Sequence, residues 1–110
     1  LRAATPPAVM PQMTKDGLVN IPGSAMFFPM HGFRRKIPMS LRVKRCIKGL
    51  NKAAKTKKIF HLWFHPSNMV DEMETMFAGF REILQHAANL RKEGRLDYLT
   101  MGKISELATK

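Results

Sequence analysis

Cysteine is nearly missing from this chain. Cys46 is the only one in 110 residues, so no disulfide can close within the sequence and no thiolate cluster can hold zinc. Long apolar runs are missing too: nothing approaches the ~18 uninterrupted apolar residues that cross a bilayer. Residues 1–16 have neither the apolar core nor the cleavage site of a secretory signal. No segment repeats. The chain opens on Leu1 instead of Met, which leaves a fragment or a processed product open and the compartment unassigned. Acidic residues are scarce, eight against nineteen Lys and Arg, for a net charge of +11. The rest is ordinary. A hydrophobic content of 45% excludes wholesale disorder, and 110 residues suffice for one small domain with one core.

The excess charge is local. Residues 34–58 hold eleven Lys or Arg and no Asp or Glu, whereas the other residues hold eight of each sign. Such a block reads first as the solvated side of one helix. The rival reading is an anion-binding face, and with it a nucleic-acid-binding module. Nucleic acid is the weaker partner, because Phe27, Phe28 and Phe33 form no stacking platform interleaved with the charges.

Residues 1–16, LRAATPPAVMPQMTKD, contain three prolines and no apolar period, and are expected to be an extended lead-in or linker to a domain over 17–110. GLVNIP and SAMFF predict a strand interrupted near Pro22 and Gly23, since proline cannot donate to a central ladder. A loop bounded by Pro29 and Pro38 follows. Ser40 is a suitable N-cap for an amphipathic helix over 41–55, with Val43, Cys46, Ile47, Leu50, Ala53 and Ala54 at helical spacing. Arg42, Lys44, Arg45, Lys48, Lys52 and Lys55 fill most other positions, so its wet side carries much of the basic block. Ile59–Phe64, stopped by Pro66, predicts a strand. Asp71 is expected to cap a long helix to about Glu93, with Met73, Met76, Phe77, Phe80, Leu84 and Ala87 on one stripe and Gly94 ending it. RLDYLT predicts a short strand, and Thr100 can cap a last helical turn. Strands alternating with helices indicate an α/β fold with a right-handed crossover.

The run KKIFHLWFHPSNM, residues 57–69, carries the chemistry. Side chains alternate across a strand, so Phe60, Leu62 and Phe64 share a greasy face while His61, Trp63 and His65 share the other. Buried polar groups of that kind require partners. His65 falls at the strand's carboxyl end, where open α/β sheets and barrels bind their ligands. It reads as a ligand, a general acid or base, or a structural group. His61, deeper along the strand, reads as a satisfied core histidine, and Trp63 as the wall of a pocket. One metal cannot bridge both imidazoles. Four strand positions separate them by about 13 Å, and each ring must approach zinc to about 2.1 Å. His31, in a glycine-containing loop with nothing nearby to tune it, and His86, at the margin of the long helix, carry less weight.

These motifs resemble a known family. IFHLWFHPSN, the stretch FREILQHAANLRKEGRLDYLTMGKISELA and the upstream GLVNIPGSAMFF together are similar to the carboxyl-terminal part of polysaccharide deacetylases. These are the NodB-homology hydrolases of carbohydrate esterase family four. The resemblance spans roughly residues 17–108 and is most specific in HLWFHP and LRKEGRLDYLTMG. It implies the last segment of a distorted (β/α) barrel that removes N- or O-acetyl groups from a carbohydrate polymer. In that family a divalent metal such as zinc activates water, an aspartate acts as base, and a late histidine protonates the leaving group. His65 matches that histidine, with Trp63 and His61 lining the substrate pocket.

The family's metal ligands come from an early Asp-Asp pair and a helical histidine pair, and neither motif is present. The chain is therefore expected to be a deacetylase fragment that binds no metal itself, needs the missing amino-terminal half of the barrel as a partner, and is inactive alone. A non-catalytic remnant that interacts with glycans is the further alternative.

Overall fold

Pro22 and Gly23 divide the first apolar stretch, and the chain passes there from one small sheet into another. The computed structural model describes residues 4–109. Strand β1 (Gln12–Met13) pairs antiparallel with β2 (Val19–Asn20), Met13 opposite Val19. Their turn is closed by the Thr14 N–H donating to the Leu18 carbonyl at 2.7 Å and by Gly17 at φ +83°, a left-handed conformation that suits glycine. Strand β3 (Ala25–Met26) then starts the second sheet.

A short 3₁₀ segment (Gly32–Lys36) leads into helix α1 (Met39–Thr56), which carries the chain back to β4 (Leu62–Trp63). Strands β3 and β4 are parallel, with Ala25 opposite Leu62 and Met26 opposite Trp63, so α1 is the crossover of a β–α–β unit. A second 3₁₀ turn (Pro66–Met69) precedes helix α2 (Met73–Lys92), and helix α3 (Met101–Ala108) closes the described chain. The fold is mixed α/β, with three helices and two two-stranded sheets among the described residues.

Helix α1 buries Val43, Cys46, Leu50 and Ala53, the stripe its spacing predicts. Lys44, Lys52, Lys55, Lys57 and Lys58 are exposed, in keeping with a basic block that is mostly solvated. Arg42 is the exception: it is buried, at 5% exposure. Helix α2 lies along α1 in the same direction. Gly79 faces Met39 and Val43, while His86 Nε2 meets Asn51 Oδ1 at 2.7 Å further along. At the centre, Phe27, Phe64 and Phe80 form an aromatic cluster with centroids 5.2–6.1 Å apart, beside the fully buried Met76.

Several expectations are corrected. Part of the segment read as an extended lead-in packs onto the domain. Val9 and Ile59 exchange backbone hydrogen bonds at 2.9 Å, Pro6 is fully buried and β1 joins the hairpin, while residues 1–3 lie outside the described residues. Pro38, not Ser40, occupies the N-cap of α1, because its fixed φ already suits that junction. Glu72, not Asp71, is the N-cap of α2, at φ 52°. The buried stripe of α2 is Met76, Gly79, Ile83, Ala87 and Leu90, which leaves Met73, Phe77 and Leu84 about half exposed. The bare backbone at Gly79 lets α1 approach, and this rotates the helix about its axis. RLDYLT forms no strand. Arg91 holds Asp97 at 3.3 Å and stacks on Tyr98, which ties this segment to the last turn of α2 instead of to β4. That turn ends as foreseen. The Gly94 N–H donates to the Arg91 carbonyl and the Arg95 N–H to that of Leu90, a Schellman closure around Gly94 at φ +73°. Thr100 caps α3 by accepting from the Lys103 N–H.

Candidate functional site

Parallel strands send their connecting loops to the same end, so the loops after β3 and β4 meet where both strands finish. His65 begins the second loop. Its backbone is extended (φ −88°, ψ 145°), Pro66 follows as the first residue of the 3₁₀ turn, and its carbonyl accepts the Asn68 N–H at 2.8 Å. The turn is thus set by proline geometry and one local bond. The imidazole stands exposed, edge-on to the Trp63 ring with centroids 5.8 Å apart. Among the described residues nothing bonds either ring nitrogen, so both are open to an incoming molecule.

Trp63 is 41% exposed. Its indole lies against Gly23, where a Cβ would sit 2.9 Å from Nε1, so the absence of a side chain there lets the ring lie on the backbone. The rings of Trp63 and His65 stand nearly perpendicular, at 81°. His61 is set deeper. Its Nδ1 lies 3.2 Å from the Ile21 carbonyl and 3.1 Å from that of Pro22. Carbonyl oxygens only accept, so Nδ1 carries the proton and donates. The His61 N–H donates to Ser24 Oγ at 3.0 Å. These bonds fix the crossing from β2 to β3. They also leave His61 as a structural group whose ring points back along the strand, not toward His65.

The two loops are joined to each other. Asn68, buried, donates from Nδ2 to the Phe27 carbonyl at 3.2 Å. His31 Nδ1 lies 3.6 Å from Asp71 Oδ2, both exposed, so His31 has a charged neighbour after all. Arg42 reaches into the first loop from α1. Its guanidinium donates to the carbonyls of Phe28, Pro29, Arg34 and Ile37. Burial, then the nearby charge of Arg34, push its pKa down, while Glu72 acts in the opposite sense. Phe28 lies under two cations, with the Arg34 guanidinium 4.6 Å from its centroid and that of Arg45 at 5.9 Å. Both helices also begin at this end of the strands, so the positive ends of their dipoles face the same region.

Among the described residues, no three His, Cys, Asp or Glu side chains come together as a metal site, and His31 and Asp71 alone do not make a closed set of ligands. The described residues do not fit a resident metal. What they offer is an exposed imidazole beside an aromatic surface, which can exchange a proton with a bound molecule and stack against an apolar ring face. Sequence reasoning missed Arg42 and the His31–Asp71 contact. Arg42 had a signal, since it stands four residues before Cys46 and so falls on the apolar stripe. The contact had none, its partners being forty positions apart on separate loops.

Compared with protein families, with curated proteins and with solved structures, the chain matches no family model, no curated protein and no solved structure.

Proposed function

We propose that this chain is the carboxyl-terminal part of a deacetylase domain acting on a carbohydrate polymer, with the β–α–β–α unit as a segment of its (β/α) barrel. His65 is the general acid that protonates the departing amine or hydroxyl as the acetyl group is hydrolysed. The observation that carries the reading is the place of His65: exposed at the carboxyl end of a parallel strand, with both ring nitrogens open and the Trp63 ring alongside. Sugar rings present apolar faces that stack on indole, and a general acid must reach its leaving group directly. Trp63 therefore walls the polymer site, and His61 holds the strand that presents both residues.

The divalent metal that would activate water in such a domain belongs to residues outside this chain. The amino-terminal half of the barrel that would supply them is the expected partner. In this reading the 110 residues are inactive alone.

The test compares the complete domain with this chain on an acetylated oligosaccharide with added divalent metal. In the complete domain, His65→Ala lowers turnover by about a hundredfold, the ordinary scale of general acid–base loss, and leaves metal content intact. Metal-stimulated acetate release by the short chain would overturn the fragment reading, and loss of metal in the variant would make His65 a ligand.

A further inference from the structure

Among the described residues, strand β4 is hydrogen-bonded along one edge only. On the β3 side, the His61 carbonyl accepts from Ala25 and that of Trp63 from Phe27, and Ile59 pairs with Val9 along the same edge. Alternate residues of a strand aim their peptide groups at opposite edges. Those of Phe60, Leu62 and Phe64 therefore point away from β3, and among the described residues no hydrogen bond meets them. The same three residues line a groove of about 1260 Å³, roofed by Ile83, Leu84 and Ala87 of α2. Its surface is largely apolar. His61, Trp63 and His65 take no part in it.

The groove's charge is at one end. Because α1 and α2 run side by side in the same direction, Lys57 and Lys58 after α1 lie at the same end as Arg91 and Arg95 near the end of α2, and all four line the groove. Arg91 and Arg95 are neutralised by Asp97 at 3.3 Å and Glu93 at 3.5 Å. No acidic side chain among the described residues pairs with Lys57 or Lys58.

We propose that this groove docks an extended polypeptide segment of a partner protein, which adds as a strand to the open edge of β4. The partner segment carries apolar side chains at alternate positions and an acidic group at the end beside Lys57 and Lys58. Unpaired peptide groups at a sheet edge are a template for another strand, and strand addition obtains its affinity from main-chain bonds and its selectivity from alternate side-chain pockets. A fatty acid would satisfy the apolar walls and the lysines but not the peptide groups. A polypeptide strand satisfies all three. The site is distinct from that of His65, but a barrel closed as proposed above would pair this edge with its own neighbouring strand, so the proposal holds for the chain in which β4 keeps that edge open.

The probe is a synthetic peptide of alternating valine and threonine with two terminal glutamates, followed by fluorescence anisotropy on the full 110-residue chain. N-methylation of the residues that face β4 removes their donors and is expected to weaken binding about tenfold or more, the scale of one or two lost hydrogen bonds. N-methylation of the alternate residues is expected to change it less than about twofold. Lys57→Glu with Lys58→Glu weakens binding several-fold, most at low salt. Amide exchange at Phe60, Leu62 and Phe64 slows on peptide addition, a readout that needs no protein variant. Equal loss from both methylation registers would overturn the proposal. So would slow exchange at those amides before any peptide is added, dimerisation of the chain without peptide binding, or laurate bound where the peptide is not.

Discussion

The loop after β3 and the loop after β4 meet at one end of the molecule, but they are held by different means. The first is pinned chiefly from outside, by the buried guanidinium of Arg42 on α1 donating to four of its carbonyls and by Arg45 of α1 over the Phe28 ring, which Arg34 of the loop itself also covers. The second, which bears His65, is held by Pro66, a 3₁₀ turn and one outside bond, from the Asn68 amide to the Phe27 carbonyl where the first loop begins. A buried charge with its donors occupied is worth little beside an apolar equivalent, yet costly to remove once its surroundings depend on it. The first loop is thus tied to its surroundings by more bonds than the loop carrying the candidate acid.

Breaking the first loop gives the largest effect. Arg42→Met strands several carbonyls in the interior and is expected to cost about 3–5 kcal/mol, measured by urea unfolding. Arg42→Lys keeps the charge but not the fork of donors, and recovers only part of that loss. Next comes pH, through Cys46 on the same helix. Burial pushes its thiol up from 9.0 to about 11. The folded state holds a proton that the unfolded chain gives up, so this contribution is complete below pH 9 and is lost as pH rises towards 11. The loss is of the order of 2–3 kcal/mol at ~1.4 kcal/mol per pH unit. Thermal melts between pH 8 and 11 should show it, and Cys46→Ala should flatten the slope.

The second loop yields less. Asn68→Ala removes one buried bond and is expected to cost about 1–2 kcal/mol. Amide exchange should accelerate at residues 65–70 while 28–37 remain protected. The smallest effect is that of the exposed ion pair between the loops. A double-mutant cycle on His31 and Asp71 should return roughly 0.2–1 kcal/mol, shrinking with salt, because both groups are exposed. A larger coupling would mean that the loops move as one body, and the contrast between them would fail.

The parts of this arrangement that depend on local pattern were legible in the sequence. The spacing of Val43, Cys46, Leu50 and Ala53 marks α1, Gly94 marks the end of α2, and the alternation from Phe60 to His65 separates a packed face from the face bearing His65. What was not legible depended on tertiary contact. The rotation of α2 follows from α1 pressing on Gly79, and a periodic stripe cannot reveal which glycine a neighbour will choose. RLDYLT has the composition of a strand, but Arg91 captures Asp97 and Tyr98 before β4 can pair with them. For the candidate site, the strand-end position of His65 could be read directly. The carbonyls that hold His61 could not, because Ile21 and Pro22 lie forty and thirty-nine residues away.

The parallel pairing of β3 with β4 also sets a clock. Ser24 and His61, which are bonded across that pair, are 37 residues apart in the chain. At about 5–20 residues per second of synthesis, the earlier strand must wait roughly 2–7 s for its mate to be made. During that interval Ala25, Met26 and Phe27 have no strand to join, and α1 is still incomplete. A nascent chain at this stage presents its most apolar sheet segment to whatever is nearby. Slowing translation within α1 would lengthen that exposure without altering a single contact of the finished molecule.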